Sequence, residues 1–224
     1  SRVDTSILSH LGVQPAIRGR WWLGYDSTYV YFNYAGEQFM PATRYTVTMD
    51  GSAEDREGNR VQGAFSSHFT TIGFRFSSSF PPAGSQNVFL TQSINVYFTL
   101  PLDTATIRNS FHLTPATTGE ISGIYFGTSY FYFYPTNGFM SSTTYTVRVD
   151  TTLRTLSGAN LSAPVEYTFT TAPFTISSTN PGDGTTGWTR YSWINIQATA
   201  PLDPSTVPGS VQIAPPASLS YSYC

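Results

Sequence analysis

Hydrophobic and polar positions alternate with a period of two along most of this chain. Ile94, Val96 and Phe98 alternate with Asn95, Tyr97 and Thr99, and Ile194, Ile196 and Ala198 with Asn195, Gln197 and Thr199. Tyr45, Val47 and Met49 alternate with Thr46, Thr48 and Asp50, and Tyr145, Val147 and Val149 with Thr146, Arg148 and Asp150. Successive side chains of a strand point to opposite faces, so each run predicts a strand with one face inward and one outward. Pro135-Thr136-Asn137-Gly138 is a turn signal between two such runs. Residues 5–16 and 104–116 leave room for one helical turn, near Ile7-Leu8 and Ile107, and no segment carries a 3.6-residue period. Many short strands separated by turns predict an all-β sandwich or barrel.

The pattern also repeats. Phe39-Met40-Pro41-Ala42-Thr43-Arg44-Tyr45-Thr46-Val47 returns as Phe139-Met140-Ser141-Ser142-Thr143-Thr144-Tyr145-Thr146-Val147. Phe69-Thr70-Thr71 returns as Phe169-Thr170-Thr171, and Pro101-Leu102-Asp103 as Pro201-Leu202-Asp203. Val3-Asp4-Thr5 matches Leu102-Asp103-Thr104, and Pro81 and Gly84 match Pro181 and Gly184. Concordant matches at one spacing mark a repeat architecture with a period of about 100 residues. Its phase predicts the C-terminal part of one repeat over residues 1–72, a complete repeat over 73–172, and the N-terminal part of a third over 173–224. The junctions Thr71-Ile72-Gly73 and Thr171-Ala172-Pro173 are too short for flexible linkers, which predicts a stiff rod.

About seven strands in about 100 residues match an immunoglobulin-like sandwich, although the Cys-Trp-Cys core of antibody domains is absent. Tyr45 and Tyr145 suit either a tyrosine corner or an ordinary inward position. The complete repeat reads Pro81, Gly84, Val88, a strand to Phe98, Pro101-Leu102-Asp103, Phe133-x-Pro135, Thr144-Tyr145-Thr146-Val147, Gly158 and Phe169-Thr170-Thr171. This resembles the bacterial Ig-like repeat of S-layer proteins and other prokaryotic surface proteins. The resemblance covers essentially the whole chain. It implies tandem Ig-like β-sandwich domains, one complete and two partial, in a spacer of an S-layer, adhesin, filament or large secreted enzyme. The first repeat departs from the pattern at Tyr34, where Pro135 stands in the second, and carries one extra residue before Phe39.

Composition narrows the function classes. Charged residues make up 11% of the 224, and 11 Lys+Arg stand against 13 Asp+Glu, which argues against a nucleic-acid footprint or an anionic-membrane patch. Aromatics reach 16%, with 15 Tyr and 16 Phe, so low charge does not mean disorder. No apolar run approaches the roughly 20 residues of a membrane helix. The single cysteine, Cys224, cannot form an internal disulfide. A Ser/Thr-rich, charge-poor surface favours an extracellular or cell-surface location. His10, His68 and His112 do not recur at the repeat offset, and nucleophile-elbow, metalloprotease and P-loop patterns are absent, so no enzyme activity, cofactor or metal site is expected. Asp50, Asp55, Glu57 and Asn59 bring oxygen ligands into one loop, but the equivalent loop 151–160 has no carboxylate, which favours a turn-forming role over Ca²⁺ binding. Asp4, Asp103 and Asp203 recur as caps or Asx turns, and Asn160-Leu161-Ser162 is a glycosylation sequon.

Tyr130-Phe131-Tyr132-Phe133-Tyr134 carries the sharper signal. Alternation turns Phe131 and Phe133 inward and Tyr130, Tyr132 and Tyr134 outward. In the first repeat it sends Val30 and Phe32 in and Tyr29 and Tyr31 out. Outward tyrosines are a candidate contact surface, packing on another copy of the protein or stacking on sugar rings. The expected function is a structural repeat region of a prokaryotic extracellular or cell-surface assembly, whose partners are other copies of itself. The alternatives are an adhesion module for glycan or protein, and an accessory region of a larger secreted enzyme. The first repeat lacks its opening two strands, counterparts of the stretch from Phe74 to Leu100. Leaving their place empty exposes apolar surface worth about 10–15 kcal/mol at 25 cal/mol per Å². The expectation is therefore a chain that continues beyond these ends, or a second chain that supplies the strands.

Overall fold

The computed structural model describes residues 6–25, 28–34, 39–189 and 191–216. Asp4 and Cys224 lie outside them. Nearly all the regular secondary structure of the described chain is strand. A 3₁₀ turn, Ser6–His10, precedes β1 (Leu11–Gln14), β2 (Gly19–Leu23), β3 (Val30–Tyr34), β4 (Arg44–Met49) and β5 (Phe65–Thr70). The middle of the chain holds β6 (Phe76–Phe80), β7 (Ser85–Val88), β8 (Ile94–Phe98), β9 (Phe111–Thr114), β10 (Gly119–Ser122), β11 (Tyr130–Pro135), β12 (Thr144–Val149) and β13 (Val165–Thr171). Then follow β14 (Ile176–Asn180) and β15 (Asn195–Ala198). Helical turns fall where the pattern leaves room for them, at Ser6–His10, Thr104–Thr106 and Ile107–Ser110, and the second half of each stretch is a strand; a further turn, Val207–Ser210, lies outside those stretches.

Residues 72–171 build a two-sheet sandwich of eight strands, with orders β10-β11-β8-β6 and β7-β13-β12-β9. Alternation decides what fills it. Ile94, Val96 and Phe98 of β8, Phe131 and Phe133 of β11, Tyr145, Val147 and Val149 of β12, and Phe169 of β13 meet in one buried cluster. Leu102, Ile107, Leu153 and Leu161 close one end, and Phe139 the other. The hydrophobic pattern predicts two strands between Phe74 and Leu100. The structure has three, because Ser85–Val88 pairs parallel to β13 in the opposite sheet. Gly84, with φ 77°, and Asn87, with φ 55°, bend the chain on and off that edge, and Ser-Gln-Asn-Val carries no alternation to announce it.

The pairing registers recur 100 residues apart. Leu11↔Met49 and Val13↔Val47 match Phe111↔Val149 and Leu113↔Val147. Tyr45↔Phe69 matches Tyr145↔Phe169, and Phe80↔Asn95 matches Asn180↔Asn195. β3 is displaced by one residue against this offset: Gly19 faces Tyr34 where Gly119 faces Pro135. That slip is the physical form of the extra residue before Phe39.

Candidate contact surface

The outer face of the β10-β11-β8-β6 sheet carries the aromatic groups. Strand alternation buries Phe131 and Phe133 and turns Tyr130, Tyr132 and Tyr134 away from the core. Register then adds a ring that the alternation of β11 alone does not point to. Tyr97 lies opposite Tyr130, and their centroids are 5.8 Å apart. Tyr130 and Tyr132 follow at 5.0 Å and Tyr132 and Tyr134 at 6.2 Å, a continuous ladder of four tyrosines. Phe80 borders it, exposed on β6 opposite Asn95. Tyr130 and Tyr132 are half-buried by one another and by the 123–129 loop, where a side chain on Gly123 would run into the Tyr132 ring at 2.7 Å. Burial among these neighbours, and then hydrogen bonding to Tyr130, pushes the Tyr132 phenol up to about 12.

The N-terminal segment carries a related face. Val30 and Phe32 are half-buried, and Tyr29 and Tyr31 are exposed with centroids 6.4 Å apart. Trp22 stands opposite Tyr31, and the Arg20 guanidinium lies over the Trp22 ring at 5.9 Å. Tyr25 and Tyr125, 100 residues apart in loops that join corresponding strands, are both strongly exposed, and Phe126 beside Tyr125 is 93% exposed. The Tyr25/Tyr125 spacing is present in the sequence as a repeat match. The neighbourhood of Tyr97 and Tyr130 is not, because it depends on β8 pairing with β11.

The polar groups are committed to local structure. Asp55 accepts from the backbone N–H groups of Glu57, at 2.9 Å, and Asn59, at 2.8 Å, and from the Asn59 side chain at 2.9 Å. These bonds, those from Asn59 foremost, hold its carboxyl below the ordinary carboxylate range. Thr155 plays the same part in the middle sandwich, accepting from Ala159 N–H at 3.1 Å. The carboxylate cluster is thus a turn, and among the described residues no group of three or more His, Cys, Asp or Glu side chains is placed to hold a metal ion. Asp103 and Asp203 cap their turns by accepting from Ala105 and Ser205. Tyr45 and Tyr145 are inward and buried, and each hydroxyl accepts the N–H of the residue five positions upstream, Met40 or Met140, at 3.0 Å. That is the hydrogen bond of a tyrosine corner.

One constellation has no signature in the sequence. His10 Nδ1 lies 3.1 Å from both carboxylate oxygens of Asp50 and 3.1 Å from Ser52 Oγ. A Ser-His-Asp relay needs the hydroxyl and the carboxylate on opposite ring nitrogens, whereas here both meet one. The equivalent place in the middle sandwich is a Ser110–Thr152 hydrogen bond of 3.0 Å, a tie between a helical turn and the turn that follows β12.

The family comparison agrees with the sandwich of the middle segment. Residues 72–171 match the family model of the bacterial Ig-like domain. Among solved structures, similarity is found to the N-terminal part of the bacterial S-layer protein SbsC, with 21% identity, 47% of this chain and 25% of that chain covered, and a TM-score of 0.34. An L,D-transpeptidase from Mycobacterium smegmatis matches with 15% identity, 47% and 42% coverage and a TM-score of 0.33. L,D-transpeptidase 3 from Mycobacterium tuberculosis matches with 13% identity, 62% and 52% coverage and a TM-score of 0.33. The chain spans about half or less of these structures. No curated protein matches. No helix among the described residues is long and apolar enough to cross a membrane.

Proposed function

We propose that this chain is a non-catalytic structural repeat region of a prokaryotic extracellular or cell-surface assembly, and that its outward tyrosines pack against other copies. On this reading residues 1–72 and 173–224 are parts of the same repeat as the middle domain. The recurrent registers on either side of the sandwich support it. The observation that carries the contact role is the four-ring ladder of Tyr97, Tyr130, Tyr132 and Tyr134 on the outer sheet face, where the exposed Glu120 stands opposite Tyr134. Neighbouring rings 5.0–6.2 Å apart, inclined to one another by 35–64°, cover part of one another's faces. That presentation suits a protein surface better than a sugar ring, which needs an open aromatic face. Changing Tyr130, Tyr132 and Tyr134 together to Ser is expected to impair assembly, followed by light scattering and electron microscopy, while circular dichroism shows the middle domain still folded. Assembly equal to the parent's would remove the ladder from the contact.

The loop-tip rings of Tyr125 and Phe126 favour a second reading, an adhesion module for glycan, because their faces are open. Saturable binding of a polysaccharide by the monomer, lost in a Tyr125→Ala/Phe126→Ala variant, would select it.

A further inference from the structure

The tyrosine ladder holds its phenols in a geometry that bears on their chemistry as well as on contact. β8 and β11 are the two inner strands of their sheet. Their register sets Tyr97 opposite Tyr130, and directly opposed residues of an antiparallel pair have Cβ atoms about 4.5–5.5 Å apart. The two ring centroids lie 5.8 Å apart and the rings are inclined by 50°. Tyr132 stands beside Tyr130 on the same strand, and the hydroxyls of Tyr130 and Tyr97 are both hydrogen-bond neighbours of its own. Three phenol oxygens therefore converge. The carbons ortho to a phenol oxygen are two bonds from it, so rings whose oxygens converge bring ortho carbons together too. Tyr97, Tyr130 and Tyr132 are half-buried, and Gly123 packs against both of the β11 rings, which leaves the group little room to separate.

We infer that Tyr97 and Tyr130 form a site of oxidative coupling, at which a one-electron oxidant of the peroxidase–peroxide class joins the two rings as a dityrosine. Each phenol gives one electron to the oxidant and one proton to solvent, leaving two phenoxyl radicals whose unpaired spin is shared with the ortho carbons. A carbon–carbon bond forms between one ortho carbon of each ring. The hydrogen on each joined carbon then moves to its phenol oxygen, which restores both aromatic rings. The protein loses two electrons and two protons in all, and one hydrogen peroxide is reduced to two waters. Tyr132 lies nearer to Tyr130, at 5.0 Å, but that pair is inclined by only 35° and overlaps more nearly face to face, whereas a bond between ring edges needs the rings side by side. Accessibility alone would choose other rings. Tyr25, Tyr125 and Tyr191 are the most exposed tyrosines described, and each stands in a turn, where coupling joins separate molecules. The Tyr97–Tyr130 bond instead staples β8 to β11 inside one copy. It removes conformational freedom from the unfolded chain, as any cross-link between distant residues does, and so stabilises the fold. Because it forms within a single copy, it does not depend on the ladder packing against another.

The test oxidises the 224-residue chain, at a concentration where it sediments as a monomer, with photogenerated ruthenium tris-bipyridine and persulfate, a small one-electron oxidant. The expected product is a monomer lighter by two hydrogens that shows dityrosine fluorescence and has a urea midpoint above that of the untreated chain. Cleavage after Arg75, Arg108 and Arg148 puts Tyr97 and Tyr130 on different peptides, and Tyr97 is the one tyrosine of its peptide, so the bond appears as residues 76–108 joined to residues 109–148. Tyr97→Phe keeps the ring and its packing and is expected to lose the joined peptide, whereas Tyr134→Phe is expected to keep it, with circular dichroism showing both variants folded. Oxidation in urea, where β8 and β11 are no longer in register, is expected to abolish the joined peptide. A Tyr130–Tyr132 bond in the native chain, covalent dimers through Tyr25, Tyr125 or Tyr191 as the main product, or an equal yield of the joined peptide in urea overturns the inference. Light scattering on the unoxidised Tyr97→Phe chain reads assembly separately, so a lost bond and a lost packing contact are told apart.

Discussion

Two side chains tie the C-terminal end of the middle sandwich together. Tyr145 carries its hydroxyl through the core to Met140 N–H, while Thr171 Oγ1 accepts from Thr143 N–H at 3.0 Å and donates to Met140 O at 2.6 Å. Tyr145→Phe keeps the ring stack on Phe169 and removes only the acceptor, so it is expected to cost about 1–3 kcal/mol, read from the urea midpoint. The other residue-level prediction concerns acid. Asp150 accepts from Arg148 at 2.8 Å and lies 2.8 Å from His112 Nε2, and the Arg148 hydrogen bond foremost holds its carboxyl below the ordinary value. A carboxyl depressed in the folded state adds stability above its unfolded pKa, about 4. It loses that stability as the pH falls through the folded value, since the unfolded chain then binds more protons. Between about pH 5 and pH 2 the unfolding midpoint of Asp150→Asn is therefore expected to fall less steeply than the parent's.

Strand β11 shows what a single element encodes. Its alternation alone sorts five aromatics into a core pair and an outer row, and that sorting is legible in the residue order. The energetic consequence is asymmetric. Phe131 is fully buried between the sheets, so Phe131→Ala is expected to cost about 3–5 kcal/mol in a denaturant titration. Each outer tyrosine contributes about 0.2–1 kcal/mol through its cross-strand neighbours. Strand β7 shows the opposite case. It has no period, and it forms where β13 offers an edge. The corresponding residues before β15, which have no such edge, contain no strand among those described.

For the whole molecule, burial is concentrated between residues 74 and 172. Every residue of β5 and β14 is exposed, whereas β13 alternates buried with exposed or half-buried positions. Hydrogen exchange on the dilute chain is expected to protect amides of β8, β11, β12 and β13 most strongly, with β5 and β14 exchanging faster. Uniform protection along the dilute chain would contradict the division.

The sequence by itself determined the strand class, the 100-residue period, the inward and outward sides of the runs in the middle sandwich and the capping role of Asp103. These follow from a side-chain period of two and from local turn chemistry, which act over a few residues. The tertiary structure decided everything that depends on which strand lies beside which: Tyr97 joining the ladder, β7 crossing to the second sheet, the hydroxyl of Tyr145 reaching Met140, and His10 meeting Asp50 and Ser52. Those contacts join residues that alternation cannot rank, because pairing is chosen by how two distant strands share one core.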